Sequence, residues 1–173
     1  MKKLILLICS YLFIQSAQCA ILEAGVAIED VPKPLFGEWR VHGEIESSNS
    51  YSSFKPKSID FWELSRVGET ITLSNPLSGA NDKIQLKTVQ GNLVIFNREV
   101  KYDNNKILID TVSIRLNGNK FSGTNDLTLE MYSLIDGHLM STKKARYLIT
   151  GEKISGESII QEETEEAPVE NLE

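Results

Sequence analysis

Alternation of apolar and polar residues is the feature that most constrains the fold of this chain. It is clearest over 120–133, where every second residue faces the same way in an extended chain. One face of that segment carries Phe121, Leu127, Leu129 and Met131. The other face carries Lys, Ser, Thr, Asp and Glu side chains, as expected of a sheet with one face in the core and one in water.

Shorter alternating segments separated by turns fill the rest of 37–156. We predict eight strands, at 38–45, 58–66, 70–73, 83–89, 93–102, 106–116, 120–133 and 138–150. A short ninth strand at 154–160 is a possible addition. Turns such as Asp103-Asn104-Asn105 and Asn117-Gly118-Asn119 supply residues that tolerate the positive φ of tight hairpins. The pattern predicts an all-β domain over 37–160, an antiparallel up-and-down barrel whose closure removes both sheet edges, with a β-sandwich as the alternative.

The first 19 residues have the layout of a secretory signal peptide. Lys2 and Lys3 precede an apolar run that is too short to span a membrane, and small residues follow it. We expect cleavage after Cys19, with cleavage after Ala20 or lipidation of Cys19 as alternatives. Both cysteines lie in this leader, so a domain exported to the periplasm or the cell exterior would rely on its packed core rather than on disulfides. Residues 20–36 are then an N-terminal extension.

The other end of the chain is acidic. The segment 157–173 contains seven Glu and no Lys or Arg, and we expect 161–173 to be a disordered tail. Without the leader and the seven Glu of 157–173, the body has 16 basic and 17 acidic residues and is close to neutral. A nearly neutral body offers no basic groove, so nucleic-acid binding is disfavoured.

The segment Leu35-Phe36-Gly37-Glu38-Trp39 opens the first predicted strand. It resembles the Gly-x-Trp signature of lipocalin-like (calycin) barrels, and the absence of disulfides makes the chain most similar to the smaller bacterial-type members. The resemblance implies that Trp39 closes one end of the barrel. It also implies that a basic residue from a late strand packs across this ring, and Arg146 is our candidate for that residue.

The inward face of the predicted barrel defines a candidate ligand site. By phase it comprises Trp39, Val41, Asp110, Phe121, Asn125, Leu127, Leu129 and Met131. Asp110 shares the phase of apolar neighbours, and an inward carboxylate would need partners or a raised pKa, as groups at functional sites often have. The alternative that we favour is a bulge at Asp110-Thr111 that turns the carboxylate outward. Asn125 is either a polar group of a pocket or a satisfied core amide.

Two functions fit this architecture. The first is an exported barrel that binds a small apolar ligand in its interior. The second is an interaction or inhibitor module of the cell envelope without a ligand cavity. For that module we expect Phe54, Trp62 and Leu64 to form an exposed contact surface, since aromatic residues are enriched in interfaces.

Catalytic and cofactor motifs do not stand out in the sequence. No Gly-x-Ser-x-Gly elbow or phosphate-binding loop occurs, and the two histidines, His42 and His138, are too few for a zinc site. We therefore expect no enzyme activity, no cofactor and no metal. The polar outer face of 120–133 is also unlike the apolar outer face of a membrane barrel, so we do not expect the processed chain to span a membrane.

N-terminal sequencing of the exported protein should begin at Ala20 or Ile21, because the leader is expected to be removed on export. Recovery of exported chains that retain Met1 would contradict this prediction.

Overall fold

A computed structural model of the chain describes residues 26–76, 79–102 and 105–156. The proposed signal peptide and the acidic tail at 161–173 lie outside the described residues. Two short 3-10 helices, Ile28–Asp30 and Lys33–Leu35, precede the sheet. Nine strands follow: β1 Gly37–Ser48, β2 Lys57–Val67, β3 Thr70–Asn75, β4 Ala80–Lys83, β5 Gln85–Gln90, β6 Leu93–Tyr102, β7 Lys106–Asn117, β8 Lys120–Tyr132 and β9 Leu139–Ser155.

The strands form one antiparallel sheet in the order β4-β3-β2-β1-β9-β8-β7-β6-β5. Each strand pairs with its neighbour in sequence, except at the β4–β5 junction, and β1 also pairs with β9. This pairing of the first strand with the last curls the meander into a nearly closed barrel. The predicted all-β, up-and-down barrel is therefore confirmed, and the β-sandwich alternative is wrong.

The ninth strand arises from a bend in a predicted strand. We predicted one strand at 83–89, but the extended segment runs from Ala80 to Gln90 and is interrupted at Ile84. Residues before Ile84 pair with β3, and residues after it pair with β6. Ile84 is itself buried, and its amide donates to the carbonyl of Ile71 over 3.0 Å. We call the interruption of the ladder between β4 and β5 the seam of the barrel. The bend lets one stretch of chain pair with β3 on one side of this seam and with β6 on the other.

The short ninth strand that we considered at 154–160 is not a separate strand in its described part. Ile154 lies within β9, which continues to Ser155, and 157–160 lies outside the described residues.

One end of the barrel, where β1 begins, is closed by the N-terminal segment. The Trp39 side chain is fully buried there, and its Nε1 donates to the carbonyl of Leu35 over 2.9 Å. Lys153 of β9 lies 4.9 Å from the centre of the Trp39 ring and donates to the carbonyl of Phe36 over 2.8 Å. Gly37 has a φ of +121°, and a Cβ there would overlap the Ser155 carbonyl, so glycine allows β1 to pass close to the end of β9.

Arg146 was the wrong candidate for the basic residue across Trp39. It lies between buried Ala145 and Tyr147 in β9 and therefore points outward, because neighbouring side chains of a strand alternate. On the outer surface it donates to the Asp126 carboxylate over 2.7 and 2.9 Å. Lys153 lies on the same inward face of β9 as Ala145 and Tyr147. It occupies the position across the Trp39 ring that we had assigned to Arg146.

Aromatic rings fill the closed half of the barrel. Phe121 lies 5.1 Å from Trp39 and 5.9 Å from Trp62 between ring centres, and Phe96 lies 6.4 Å from Trp62. The expected exposure of Trp62 and Leu64 is therefore wrong, since both are buried. β2 carries apolar residues on both faces, and its pairing decides the phase: Trp62 lies opposite inward Trp39, whereas Ile59 faces out.

Trp39→Ala should lower the free energy of unfolding by about 3–5 kcal/mol, because it removes a fully buried ring and its hydrogen bond. Trp62→Ala should have a similar cost, since Trp62 packs in the same aromatic cluster. Urea titrations of both variants measure this. A cost below about 1 kcal/mol for either variant would contradict the role of this cluster as the core of the closed end.

Candidate functional site

A cavity of about 300 Å³ occupies the other half of the barrel, towards the open end where β1 ends and β2 begins. Eight of its fifteen lining residues are apolar or aromatic, and the other seven are polar or charged. The apolar and aromatic lining comprises Val41, Phe54, Trp62, Tyr102, Leu108, Leu127, Tyr147 and Ile149. The polar lining includes Asp60, Arg98, Asp110 and Asn125, contributed by β2, β6, β7 and β8.

The residues predicted for the interior divide into three groups. Val41, Asp110, Asn125 and Leu127 line the cavity. Trp39 and Phe121 belong to the closed end, and Leu129 is partly buried against the core. Met131 is partly exposed on β8 beyond the cavity. Contact of any of these residues with a ligand stays a prediction.

Asp110 points into the barrel. β7 pairs with β8 in continuous register from Lys106 to Asn117, so the bulge that we favoured is absent from this strand. Asp110 is 3% exposed and shares its face with buried Val112 and Ile114. A regular ladder fixes this orientation, and the outward alternative is therefore wrong.

Arg98 is the main partner of Asp110. The two residues lie directly opposite each other in the β6–β7 hairpin, and Nη2 of Arg98 donates to Oδ2 of Asp110 over 2.8 Å. Burial nevertheless raises the pKa of the Asp110 carboxyl above its ordinary value, and the nearby Asp60 carboxylate acts in the same direction. The Arg98 charge and hydrogen bond, together with the Asn125 side chain, offset only part of this rise.

Arg98 also reaches across the seam of the barrel. Its Nη1 lies 3.9 Å from Oδ2 of Asp82, which is on β4. Because β4 does not pair with β6 as a ladder, this ion pair bridges two strands at the point where sheet hydrogen bonding is interrupted. One guanidinium thus faces two carboxylates, both of them at least partly buried.

Asp60 is held in place by donors from its own strand and from β3. It accepts hydrogen bonds from the Trp62 indole over 3.1 Å and from the Phe61 amide over 3.0 Å. The Asn75 amide is a third donor. These contacts direct the carboxylate towards the cavity, whose lining includes it.

Three buried polar atoms at the cavity have no hydrogen-bond partner among the described residues. They are Nε of Arg98, Oδ1 of Asp110 and Oδ1 of Asn125. A buried polar atom without a partner is costly and calls for an explanation in a native structure. All three atoms are shielded from solvent by their neighbours, so they lie behind the accessible surface of the cavity.

The loop between β1 and β2 covers the open end. Phe54 of this loop is 7% exposed and lines the cavity, so its expected place on an exposed contact surface is wrong. The loop is fastened to β9, because the Tyr147 hydroxyl donates to the Lys55 carbonyl over 2.7 Å and Lys143 donates to Ser53 over 2.9 Å. The alternation of apolar and polar residues indicates which side chains of a strand face inward, but it gave no information on this loop.

The two histidines are exposed and lie on separate elements. His42 faces outward on β1, and His138 lies 2.6 Å from the Asp136 carboxylate in the β8–β9 turn. Among the residues that the structure describes, no group of three or more His, Cys, Asp or Glu side chains could hold a metal ion.

Comparisons with models of protein families, with curated proteins and with solved structures found no match to this chain. In the described part of the chain, no helix has the length and apolar character needed to cross a membrane.

Asp110→Asn should change the pH dependence of stability in one direction. Folding raises the pKa of Asp110, so the native state holds this proton more tightly than the unfolded state does. The resulting stabilisation is fully present below the ordinary pKa of aspartate and is lost as pH rises through the raised value. The free energy of unfolding of the variant minus that of the wild type should therefore increase over this range in urea titrations. A decrease would show that pairing with Arg98 outweighs burial.

Proposed function

We propose that this protein is an exported, non-catalytic, lipocalin-like binding barrel that holds a small, largely apolar ligand at its open end. The observation that carries the proposal is the cavity of about 300 Å³ between the aromatic cluster and the β1–β2 loop. Small-molecule sites are concave and mainly apolar, with a few polar groups that orient the ligand. The cavity is concave and combines an apolar and aromatic lining with charged and polar side chains that could orient a ligand, although its polar share is larger than is usual for such sites.

The size of the barrel supports the proposal. A barrel of about eight strands has an interior that side chains can just fill or that can hold one small ligand. Here Trp39, Trp62, Phe96 and Phe121 pack together in the closed half, whereas the side chains around the open half leave the cavity between them. The volume lies at the lower end of the range for ligand sites, which favours a compact ligand over a long-chain lipid.

A second candidate function is a protein-facing module, and it now depends on a different surface. Phe54, Trp62 and Leu64 are buried and cannot form the contact patch. The β8–β9 turn instead exposes Leu134 and Ile135, which are 74% and 98% exposed, and Met140 follows at 64%. Exposed apolar side chains that cluster are a feature of interaction sites.

Filling the cavity should weaken ligand binding. Leu127→Trp places a larger side chain in the cavity wall and should displace an environment-sensitive apolar dye and lower its affinity about tenfold or more. Leu148→Trp is the matched control, because Leu148 lies on the adjacent strand β9, is 51% exposed and points outward. Fluorescence titration of the dye against the three proteins measures this effect.

Equal dye affinity in all three proteins would place the binding site outside the barrel. If the wild-type protein binds no apolar dye or small molecule, the binding-barrel proposal fails. Loss of dye affinity on Ile135→Ser, with Leu127→Trp unaffected, would favour the protein-facing alternative.

A further inference from the structure

We propose that ligands enter and leave the cavity through the side of the barrel, where separation of β4 from β6 at the seam opens a gate that the ion pair between Arg98 and Asp82 holds closed. This inference rests on the binding function proposed above and adds the route by which a ligand reaches the cavity.

The gap between β4 and β6 is a break in the hydrogen-bonded wall of the barrel. In the described residues, β4 pairs only with β3, and residues 98–102 of β6 pair only with β7. These two strand edges lie next to each other without a ladder between them. The unpaired edge of β6 is about 16 Å long, so the gap is as long as a small ligand.

Opening the wall elsewhere around the cavity would be more costly. The other neighbouring strands, from β4 through β3, β2, β1, β9, β8 and β7 to β6, are joined by ladders. Separation of any of these pairs would break a row of backbone hydrogen bonds, each of which contributes to stability.

Across the β4–β6 gap, the described residues show one ion pair, in which Nη1 of Arg98 lies 3.9 Å from Oδ2 of Asp82. The distance is too long for a hydrogen bond, and the Asp82 side chain is 27% exposed. An ion pair that water can reach contributes little to stability. The gap is therefore the part of the wall that separates at the lowest cost.

The cavity extends to this gap. Arg98 and Tyr102, both on β6, belong to its lining, and the Tyr102 side chain is 49% exposed, so it connects the cavity with the surface. Arg98 reaches from the same lining to Asp82 on β4. Movement of β4 away from β6 breaks this contact and opens the cavity beside Arg98.

Entry through the open end would require larger losses. Phe54 of the β1–β2 loop is buried over the cavity, and Tyr147 and Lys143 fasten the loop to β9 by hydrogen bonds. A ligand that passes the loop must expose this aromatic side chain to water and break both hydrogen bonds.

The test follows the kinetics of dye binding by stopped-flow fluorescence with aminoanthracene, an apolar dye that is uncharged at neutral pH. Asp82→Asn removes the ion pair and keeps the size of the side chain. It should raise both the association and the dissociation rate constants about threefold, because the gate opens more often. The affinity should stay within about twofold, since Asp82 does not line the cavity and an easier opening speeds both directions equally. Asp82→Ala should have the same effect and provides a second reading.

Two variants make the test specific. Lys143→Ala removes a hydrogen bond that holds the β1–β2 loop and should leave both rate constants unchanged. Asp126→Asn is the matched control, because Asp126 forms an ion pair with Arg146 between β8 and β9, which a ladder already joins. Its rate constants should equal those of the wild-type protein.

Different failures identify different errors. Dye binding whose rate constants are unchanged in both Asp82 variants would overturn the gate and leave the binding barrel intact. Faster dissociation alone, with a matching loss of affinity, would also contradict the gate, because Asp82 would then stabilise the bound state. Acceleration by Lys143→Ala without acceleration by the Asp82 variants would place the entry at the loop. Absence of dye binding to the wild-type protein would overturn both proposals.

Discussion

Pairing of β1 with β9 is the constraint on which the rest of the structure depends. It joins the first and last strands through the long ladder from Glu38 to Ser48, and it turns a meander with two free edges into a barrel. In each strand, one set of alternate side chains then faces the interior and the other set faces outward. Trp62 is therefore buried with Trp39, Arg146 lies on the outer surface, and Lys153 lies over the Trp39 ring.

The seam opposite this pairing is less regular, and the cavity chemistry is concentrated beside it. The bend at Ile84 transfers the chain from β3 to β6, so the ladder is interrupted between β4 and β5. Arg98 bridges this interruption to Asp82 and also pairs with Asp110 on β7. Removing such charges from water is costly, and a packed apolar core would be at least as stable. A site with local costs of this kind is where a functional role is expected.

The sequence predicted correctly those strands whose apolar residues fall on one face only. β8 and the placement of Trp39 follow from period two and from the Gly-x-Trp motif. β2 was assigned the wrong face because Ile59, Phe61, Trp62 and Leu64 supply apolar residues to both phases, and only pairing with β1 distinguishes them. The bend at Ile84 left no sign in the alternation, since Ile84 itself and Leu86 after it both face inward.

The cavity was predictable only in part. Asp110 was recognised as unusual, but its partner was missed although the predicted hairpin turn at 103–105 places Arg98 directly opposite it. An opposite-charge pair at facing positions of a hairpin is a readable signal. Asp60, Asp82 and Phe54 reach the site through long-range packing, namely the donors that orient Asp60, the bend at the seam and the fold of the β1–β2 loop. Local alternation carries no information on these contacts.

The most direct test of the central claim, that binding occurs inside the barrel, is a methyl NMR titration of the protein with the apolar dye. Chemical-shift changes should be concentrated on the methyl groups of Val41, Leu108, Leu127 and Ile149, which line the cavity. Those of Leu134 and Ile135, in the exposed β8–β9 turn, should stay unchanged. Changes confined to Leu134 and Ile135, with the cavity methyl groups unaffected, would contradict the account.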